Sequence, residues 1–278
     1  MISLPAPAKI NLFLHITGRR PDGYHELQTL FQLIDLVDEV GIDVLPGPDI
    51  DFQGDDAGVS MDDNLVVKAA RLLQAETGCQ QGARLQLTKQ IPTGAGLGGG
   101  SSDAATTLAG LNRLWQLNLP DDKLAQMGRQ LGADVPVFLQ GLTAWGEGIG
   151  ERLTPVEMPE TGYVVVYPNC HVSTVKVFTH PDLTRDSSVT TIRRFLSQGG
   201  RNDCENVVCG LYPEVAEALR WLGQWGPAKM TGTGSCVFLP VAHPETVAEM
   251  KVSAPDSWSI YQVKAVNTSP LKQALAAL

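Results

Sequence analysis

Pro92, Thr93, Gly94, Ala95, Gly96, Leu97, Gly98, Gly99, Gly100, Ser101 and Ser102 form the stretch whose reading decides the fold. Five of the seven residues from Gly94 to Gly100 are glycine, and the run leads straight into a helical pattern. Glycine lets a backbone take positive φ and approach a ligand with no Cβ in the way. Consecutive backbone N–H groups at a helix start, reinforced by the helix dipole, make a ready anion site. Ser101, Ser102 and Asp103 are good N-cap residues. Beyond them Ala104, Leu108, Leu111 and Trp115 recur at helical spacing, which predicts a helix over 102–115. The physical reading is a loop that wraps phosphate oxygens, closed by a serine pair. A flexible linker has a similar glycine content, but linkers are not usually set between an amphipathic strand and an amphipathic helix.

Two familiar phosphate loops are excluded by context. A Walker A loop needs lysine after its last glycine, and Gly100 is followed by Ser101. The segment Gly94 to Gly99 matches G-x-G-x-x-G, but the dinucleotide-binding form follows a buried, continuously apolar strand and has an acid ending the next strand. Here residues 84–91 alternate polar and apolar, as a half-exposed antiparallel strand does. Asp121 and Asp122 stand at about the right distance, but they follow Pro120 and read as a helix start.

The loop resembles the second motif of the GHMP kinases, the family of galactokinase, homoserine kinase and mevalonate kinase, where it binds ATP phosphates. The N-terminal blocks Pro7 to Leu14 and Asp22 to Leu30, with Gly18 between them, resemble the branch of that family that phosphorylates a cytidine-diphosphate-linked polyol in non-mevalonate isoprenoid synthesis. Gly132 to Phe138 and Met230 to Cys236 follow as two further blocks in the expected order, so the resemblance spans nearly the whole chain. It implies an α+β fold, the GHMP kinase fold: a ribosomal-protein-S5-like N-terminal domain, a ferredoxin-like C-terminal domain, and an active site in the cleft between them. It also implies ATP as phosphoryl donor, Mg²⁺ as companion, and transfer to the polyol's 2-hydroxyl.

Composition is that of a soluble enzyme. The chain has 278 residues, 43% of them apolar, which suffices for one large domain or two modest ones. A net charge of −9 speaks against a nucleic-acid partner held by a basic field. No run approaches the roughly 18 consecutive apolar residues of a membrane helix, and no charged start followed by an apolar run marks a signal peptide. The cysteines, Cys79, Cys170, Cys204, Cys209 and Cys236, are odd in number and scattered, as reduced cytoplasmic thiols are. A monomer or homodimer acting on a small molecule is expected, with neither nucleic acid nor membrane as partner.

Periodicity predicts helices over 64–73 and 121–131, the latter with Gly132 as C-cap. From Ala8 to Ile16 the chain alternates, Ile10, Leu12 and Leu14 opposite Lys9, Asn11, Phe13 and His15, as a half-exposed strand would. The Pro-rich, acidic stretch 154–162 predicts a boundary between domains at 1–156 and 157–278. Strands are expected over 163–167, 236–239 and 259–266, and helices over 189–196 and 214–225.

Taken alone, Asp134 precedes a proline-started helix and reads as an N-cap. Lys9 reads as a solvated charge, Tyr24 and His25 as the strand start after an Asp22-Gly23 turn, and residues 231–235 as a hairpin turn. The resemblance implies more. Asp134 stands where the family has its general base, with Lys9 beside it to orient the carboxylate. Asn11 would hydrogen-bond the acceptor polyol, Tyr24 and Phe178 would cover the two faces of the cytosine, and His25 would bond its polar edge. Thr174 is carried over to the same pocket, Asn64 and Lys89 to the neighbourhood of the adenine, and the 231–235 loop to the substrate phosphates. Residues 179–200 follow no usable pattern.

Overall fold

Two long strands set the frame: β1 (Ile2–Arg19) and β2 (His25–Leu45), antiparallel from Ile2↔Ile42 to Arg19↔His25. In the turn between them Asp22 Oδ1 accepts from Tyr24 N at 3.1 Å. The computed structural model describes residues 1–54, 60–243 and 245–278. The expectation that β1 is half exposed fails, because every residue from Ala6 to Leu14 is buried. Its physical cause is coverage on both sides: helices pack on one face, and the C-terminal half of the chain packs on the other. Lys9 and Asn11 are therefore buried polar groups, which must find partners within the protein.

In the N-terminal half, β3 (Ile50–Gly54) runs parallel to β4 (Gly82–Thr88), and α1 (Leu65–Thr77) lies between them in sequence. Asn64 caps α1, its Oδ1 accepting from Val66 N at 2.9 Å, and Gly78 ends it in the left-handed region at φ 69°. β4 pairs antiparallel with β2 and alternates buried and open residues, as its sequence predicts. Next come α2 (Gly99–Leu114), α3 (Asp121–Leu131), α4 (Val135–Gln140), β5 (Ala144–Gly148) and β6 (Arg152–Pro155). α2 buries Ala104, Ala105, Leu108 and Leu111 against the sheet.

The C-terminal half holds β7 (Gly162–Tyr167), α5 (Thr174–Thr179), α6 (Ile192–Gln198), α7 (Glu205–Leu211), α8 (Pro213–Leu222), β8 (Lys229–Met230), β9 (Val237–Val241), α9 (Glu245–Ser253), β10 (Ser259–Val266) and α10 (Pro270–Ala276). Its strands lie in the order β10-β7-β9-β8, the fourth, first, third and second of the set. That is the antiparallel arrangement of a βαββαβ ferredoxin-like unit. The two sheets meet where Ala265 and Val266 pair with Ile34 and Leu33 of β2. A shared core of Ile10, Phe13, Ile34, Val165, Phe238 and Val263 fills the junction. Among the described residues no helix is long and apolar enough to cross a membrane.

Candidate active site

Between the two halves opens a cavity of about 730 Å³, lined from β1, β2, the 94–98 loop, the start of α4, the 171–179 segment and the 232–234 loop. The glycine loop leaves β4, turns through 92–98 and delivers α2. The helix begins at Gly99, three residues before the predicted Ser102, with Gly98 at the cap position and φ +75°. Ser101, Ser102 and Asp103 thus sit inside the first turn, and no side chain caps the helix. The first helical bond from the cap is Ser102 N to Gly98 O at 2.9 Å, so the N–H groups of Gly99, Gly100 and Ser101 have no partner within the helix. A side-chain cap would occupy these donors; glycine leaves them for an anion.

Gly96 and Gly98 are required by contact as well as by φ. A Cβ on Gly96 would strike the Thr231 carbonyl, and one on Gly98 would lie 2.8 Å from Phe138 Cζ and 3.1 Å from Lys9 Cε. Ala95 and Leu97 turn inward as core residues, pinning the loop from below. The loop is further tied down by Lys9 N donating to Leu97 O at 3.0 Å and Cys236 N to Ala95 O at 3.0 Å. Of the serine pair, Ser101 lines the cavity, whereas Ser102 is fully buried and its Oγ has no partner. The expected pair is therefore one serine.

Lys9, 3% exposed, ends among three oxygens: Asn11 Oδ1 at 2.7 Å, Gly96 O at 3.0 Å and Asp134 Oδ2 at 3.2 Å. Asp134 stands at the N-cap position of α4 but makes no capping hydrogen bond, and its side chain is 33% exposed to the cavity. The capping reading thus accounts for its position in the chain and not for its carboxylate. Asn11 is held by its own network: its N–H donates to Thr231 Oγ1 at 2.9 Å, and Nδ2 to Thr29 Oγ1 at 2.8 Å. Thr29 in turn donates to Phe13 O at 2.6 Å. These bonds fix the Lys9–Asp134 pair against the glycine loop.

At the other end stand Tyr24, 60% exposed, and the buried His25. Phe178 stacks on the His25 imidazole, the ring centroids 5.2 Å apart and the planes 25° apart. Burial lowers the His25 pKa, helped by the positive charges of Arg185 and Arg19, so the imidazole is held neutral. Thr174 lines the same wall, its hydroxyl 3.1 Å from that of Thr233 in the 231–235 loop. That loop is the β8–β9 hairpin turn and a wall of the cavity at once. Asn202 holds it, donating to Met230 O at 2.9 Å and Gly232 O at 2.7 Å.

The structure thus brings Lys9, Asn11, Tyr24, His25, Gly94, Gly96, Gly98, Ser101, Asp134, Thr174 and Phe178 to one cavity. Pro92, Thr93, Gly99 and Gly100 flank it. Two residues expected near the adenine do not line this cavity. Asn64 caps α1, and the Lys89 ammonium is enclosed by Asp38 at 2.5 Å and Asp103 at 2.7 Å beneath the start of α2. Lys89 follows the polar-apolar alternation of its strand, but its exposed-looking position is covered by α2. Sequence reasoning missed Arg19, Thr29, His171, Arg185 and Asn202. Thr29 lies within the Asp22 to Leu30 block but carries no role there; the other four lie in stretches without a motif, and only their meeting in space identifies them. Among the described residues no group of three or more His, Cys, Asp or Glu side chains could hold a metal ion.

The chain matches the models described as the GHMP kinases N terminal domain, over residues 64–142, and the GHMP kinases C terminal, over residues 181–259. It is 52% identical over 277 residues to the 4-diphosphocytidyl-2-C-methyl-D-erythritol kinase of Pseudomonas syringae pv. syringae, covering 99% of this chain and 98% of that one. To the enzyme of the same name from Marinobacter nauticus it is 50% identical over 282 residues, covering 100% and 98%. A crystal structure of 4-(cytidine 5'-diphospho)-2C-methyl-D-erythritol kinase superposes with a TM-score of 0.80 at 34% identity, covering 95% of this chain and 99% of that one. Methanococcus jannaschii mevalonate kinase shares the fold, with a TM-score of 0.70 at 16% identity over 96% and 98% of the two chains.

Proposed function

The chain belongs to the GHMP kinases, and from that premise we propose that it transfers the γ-phosphoryl group of ATP to the 2-hydroxyl of 4-diphosphocytidyl-2-C-methyl-D-erythritol. The observation that carries this reading is the Lys9–Asp134 pair. It lies in the same cavity as an unpaired helix start and an aromatic–imidazole wall. Relatives about half identical over their full length, named for that reaction, support the acceptor.

Phosphoryl transfer is chiefly positioning and charge stabilisation. The triphosphate rests on the 94–98 loop and the unpaired N–H groups of Gly99, Gly100 and Ser101, where the dipole of the 16-residue helix α2 favours negative charge. Lys9 offers its ammonium to the transferring group. The acceptor hydroxyl lies between Asp134 and the γ-phosphorus. Its oxygen forms the new O–P bond as the bond to ADP breaks, and its proton passes late to the Asp134 carboxylate. A carboxylate cannot strip an alcohol beforehand, but it can receive the proton as the loose transition state completes.

Mg²⁺ chemistry fits hard oxygen donors. The residues that would hold such an ion are Ser101, through its hydroxyl, and Asp134, through its carboxylate, with the nucleotide phosphates supplying the rest, and the ion would offset the triphosphate charge. The cytosine is read at the far end, between Tyr24 and Phe178 with His25 at its edge. Residues 1–156 and 157–278 are the two domains of this reading, supported by the strand-free connector between β6 and β7. Five free cysteines accord with a reduced cytoplasmic setting.

The test is an ATP-consumption assay with the cytidine-diphosphate polyol beside homoserine, mevalonate and galactose. Turnover is expected with the first alone. Faster turnover with any of the others would replace the acceptor while leaving the kinase chemistry in place.

A further inference from the structure

Arg185 lies in the stretch that the sequence left unread, outside the cavity lining. Its guanidinium nevertheless makes five contacts, all as donor. Nε donates to His25 Nε2 at 3.2 Å. Nη1 donates to Leu183 O at 3.0 Å and, at 3.4 Å, to Pro181 O. Nη2 donates to His180 O at 2.7 Å and Phe178 O at 3.1 Å. One side chain therefore ties the exit of α5, which carries Phe178, to the first residue of β2, which is His25.

The chemistry of the first contact is decisive. A guanidinium has no acceptor and does not lose its proton in a protein. His25 Nε2 must therefore present a lone pair to it, and in a neutral imidazole the single proton then sits on Nδ1. Among the described residues His25 Nδ1 has no hydrogen-bond partner, and the residue lines the cavity. Free histidine favours the opposite tautomer, so the arrangement is imposed by Arg185 and not intrinsic to the ring. With Nε2 engaged by Arg185, the nitrogen left for a ligand in the cavity is Nδ1–H, a donor only.

We propose that Arg185 is a positioning residue that sets base specificity: it locks His25 as an Nδ1–H donor and holds Phe178 against it, so that the slot takes a pyrimidine with acceptors at N3 and O2 and rejects one with N3–H. Cytosine presents those acceptors. Uracil presents N3–H, which would set donor against donor and leave both unpaired in a largely buried site, the kind of mismatch that discriminates strongly. This inference rests on the acceptor assignment proposed above.

The experiment has a part that needs no substrate. In ¹⁵N-labelled, ligand-free protein, the His25 Nε2 resonance should fall in the range of an unprotonated imidazole nitrogen, and Nδ1 in that of a protonated one. A protonated Nε2 in the parent protein overturns the proposal, whatever any variant does.

The second part compares turnover of the cytidine-diphosphate polyol and its uridine-diphosphate counterpart in the parent and in Arg185→Met. The variant's preference for cytidine should shrink by at least about tenfold, through a raised acceptor KM, with kcat and the ATP KM changed by less than about threefold. A loop that merely loosened would raise KM for both acceptors equally, and an unchanged cytidine-to-uridine ratio likewise overturns the proposal. Failure of the parent to turn over the cytidine acceptor sinks instead the assignment beneath it, a result the tautomer measurement keeps separate.

Discussion

Two lysine–aspartate clusters flank the same glycine loop, and they differ in what each leaves over. At the cavity, Lys9 meets one carboxylate, Asp134, whose side chain stays 33% exposed. Beneath the start of α2, Lys89 meets two, Asp38 and Asp103; both carboxylates are buried and the lysine side chain is only 10% exposed. Asp38 is spent further, accepting from the backbone N–H of Gln90 and Ile91 where β4 enters the loop. The first cluster has an oxygen edge free to receive a proton from a ligand. The second has its charges turned on one another and on the backbone that anchors the loop. Residue type alone does not separate the pair proposed as catalytic from the structural one; access does.

Breaking the sealed cluster should give the largest change in stability. Lys89→Met leaves two buried carboxylates side by side, and loss of one partner of a buried ion pair costs about 3–5 kcal/mol. Chemical denaturation should show that loss while turnover per folded molecule is kept. A stable variant with weakened ATP binding would instead place Lys89 in the nucleotide site, as the family resemblance implies.

Gly98→Val attacks the loop that both clusters flank. The new side chain would meet Phe138 and Lys9 at a backbone held at φ +75°. ATP affinity should fall on the order of tenfold to a hundredfold, in keeping with the energy of a strained backbone residue. Calorimetric titration with unchanged affinity would assign the loop another task.

Tyr24→Ala and Phe178→Ala act away from either cluster and should weaken the cytidine acceptor by roughly 1–3 kcal/mol each, the range for base stacking. ATP affinity should be unaltered. A raised ATP constant with the acceptor spared would mean that the two ends of the cavity are exchanged.

The smallest effect sharpens the contrast through pH. Burial raises the Asp103 carboxyl, Lys89 opposes the shift and Asp38 adds to it, leaving a pKa of about 7. Burial pulls Lys89 down, but the two carboxylates more than offset it and hold its pKa above the ordinary value. For Asp103 the native state thus binds the proton more tightly than the unfolded chain does. Its contribution is fully present below the unfolded carboxyl pKa near about 4 and is lost as pH rises through about 7. Asp103→Asn removes that slope. The stability of the variant relative to the parent should rise between about pH 5 and about pH 8; a gap independent of pH would show that Asp103 is ionised throughout.

The same contrast separates what the sequence disclosed from what it hid. The glycine loop, α3 with its Gly132 stop and the strand 259–266 are local patterns, written in consecutive residues, and the structure has them. α2 starts three residues before its sequence pattern suggests, because serine and aspartate are strong caps and glycine is a poor helix former. A helix that opens on glycine with no side-chain cap breaks both preferences. β1 read as half exposed because alternation reports one covered face and cannot report a second, supplied here by the C-terminal half. Lys89 and Arg185 were beyond reach for the same reason. Their most distant partners, Asp38 and His25, lie 51 and 160 residues away, beyond the reach of a local pattern.

The central claim is that Asp134, and not its sealed counterpart, takes the acceptor's proton. The direct measurement is single-turnover phosphoryl transfer by Asp134→Asn at saturating ATP and cytidine-diphosphate polyol, with affinities and melting temperature recorded on the same protein. Asparagine keeps the shape at the head of α4 and removes the charge and the proton acceptor. The expected result is a fall of roughly 10²–10⁴-fold in the transfer rate, with both ligands still bound and the melting temperature nearly unchanged. A transfer rate close to that of the parent would contradict the claim and leave Asp134 as no more than the residue before a helix.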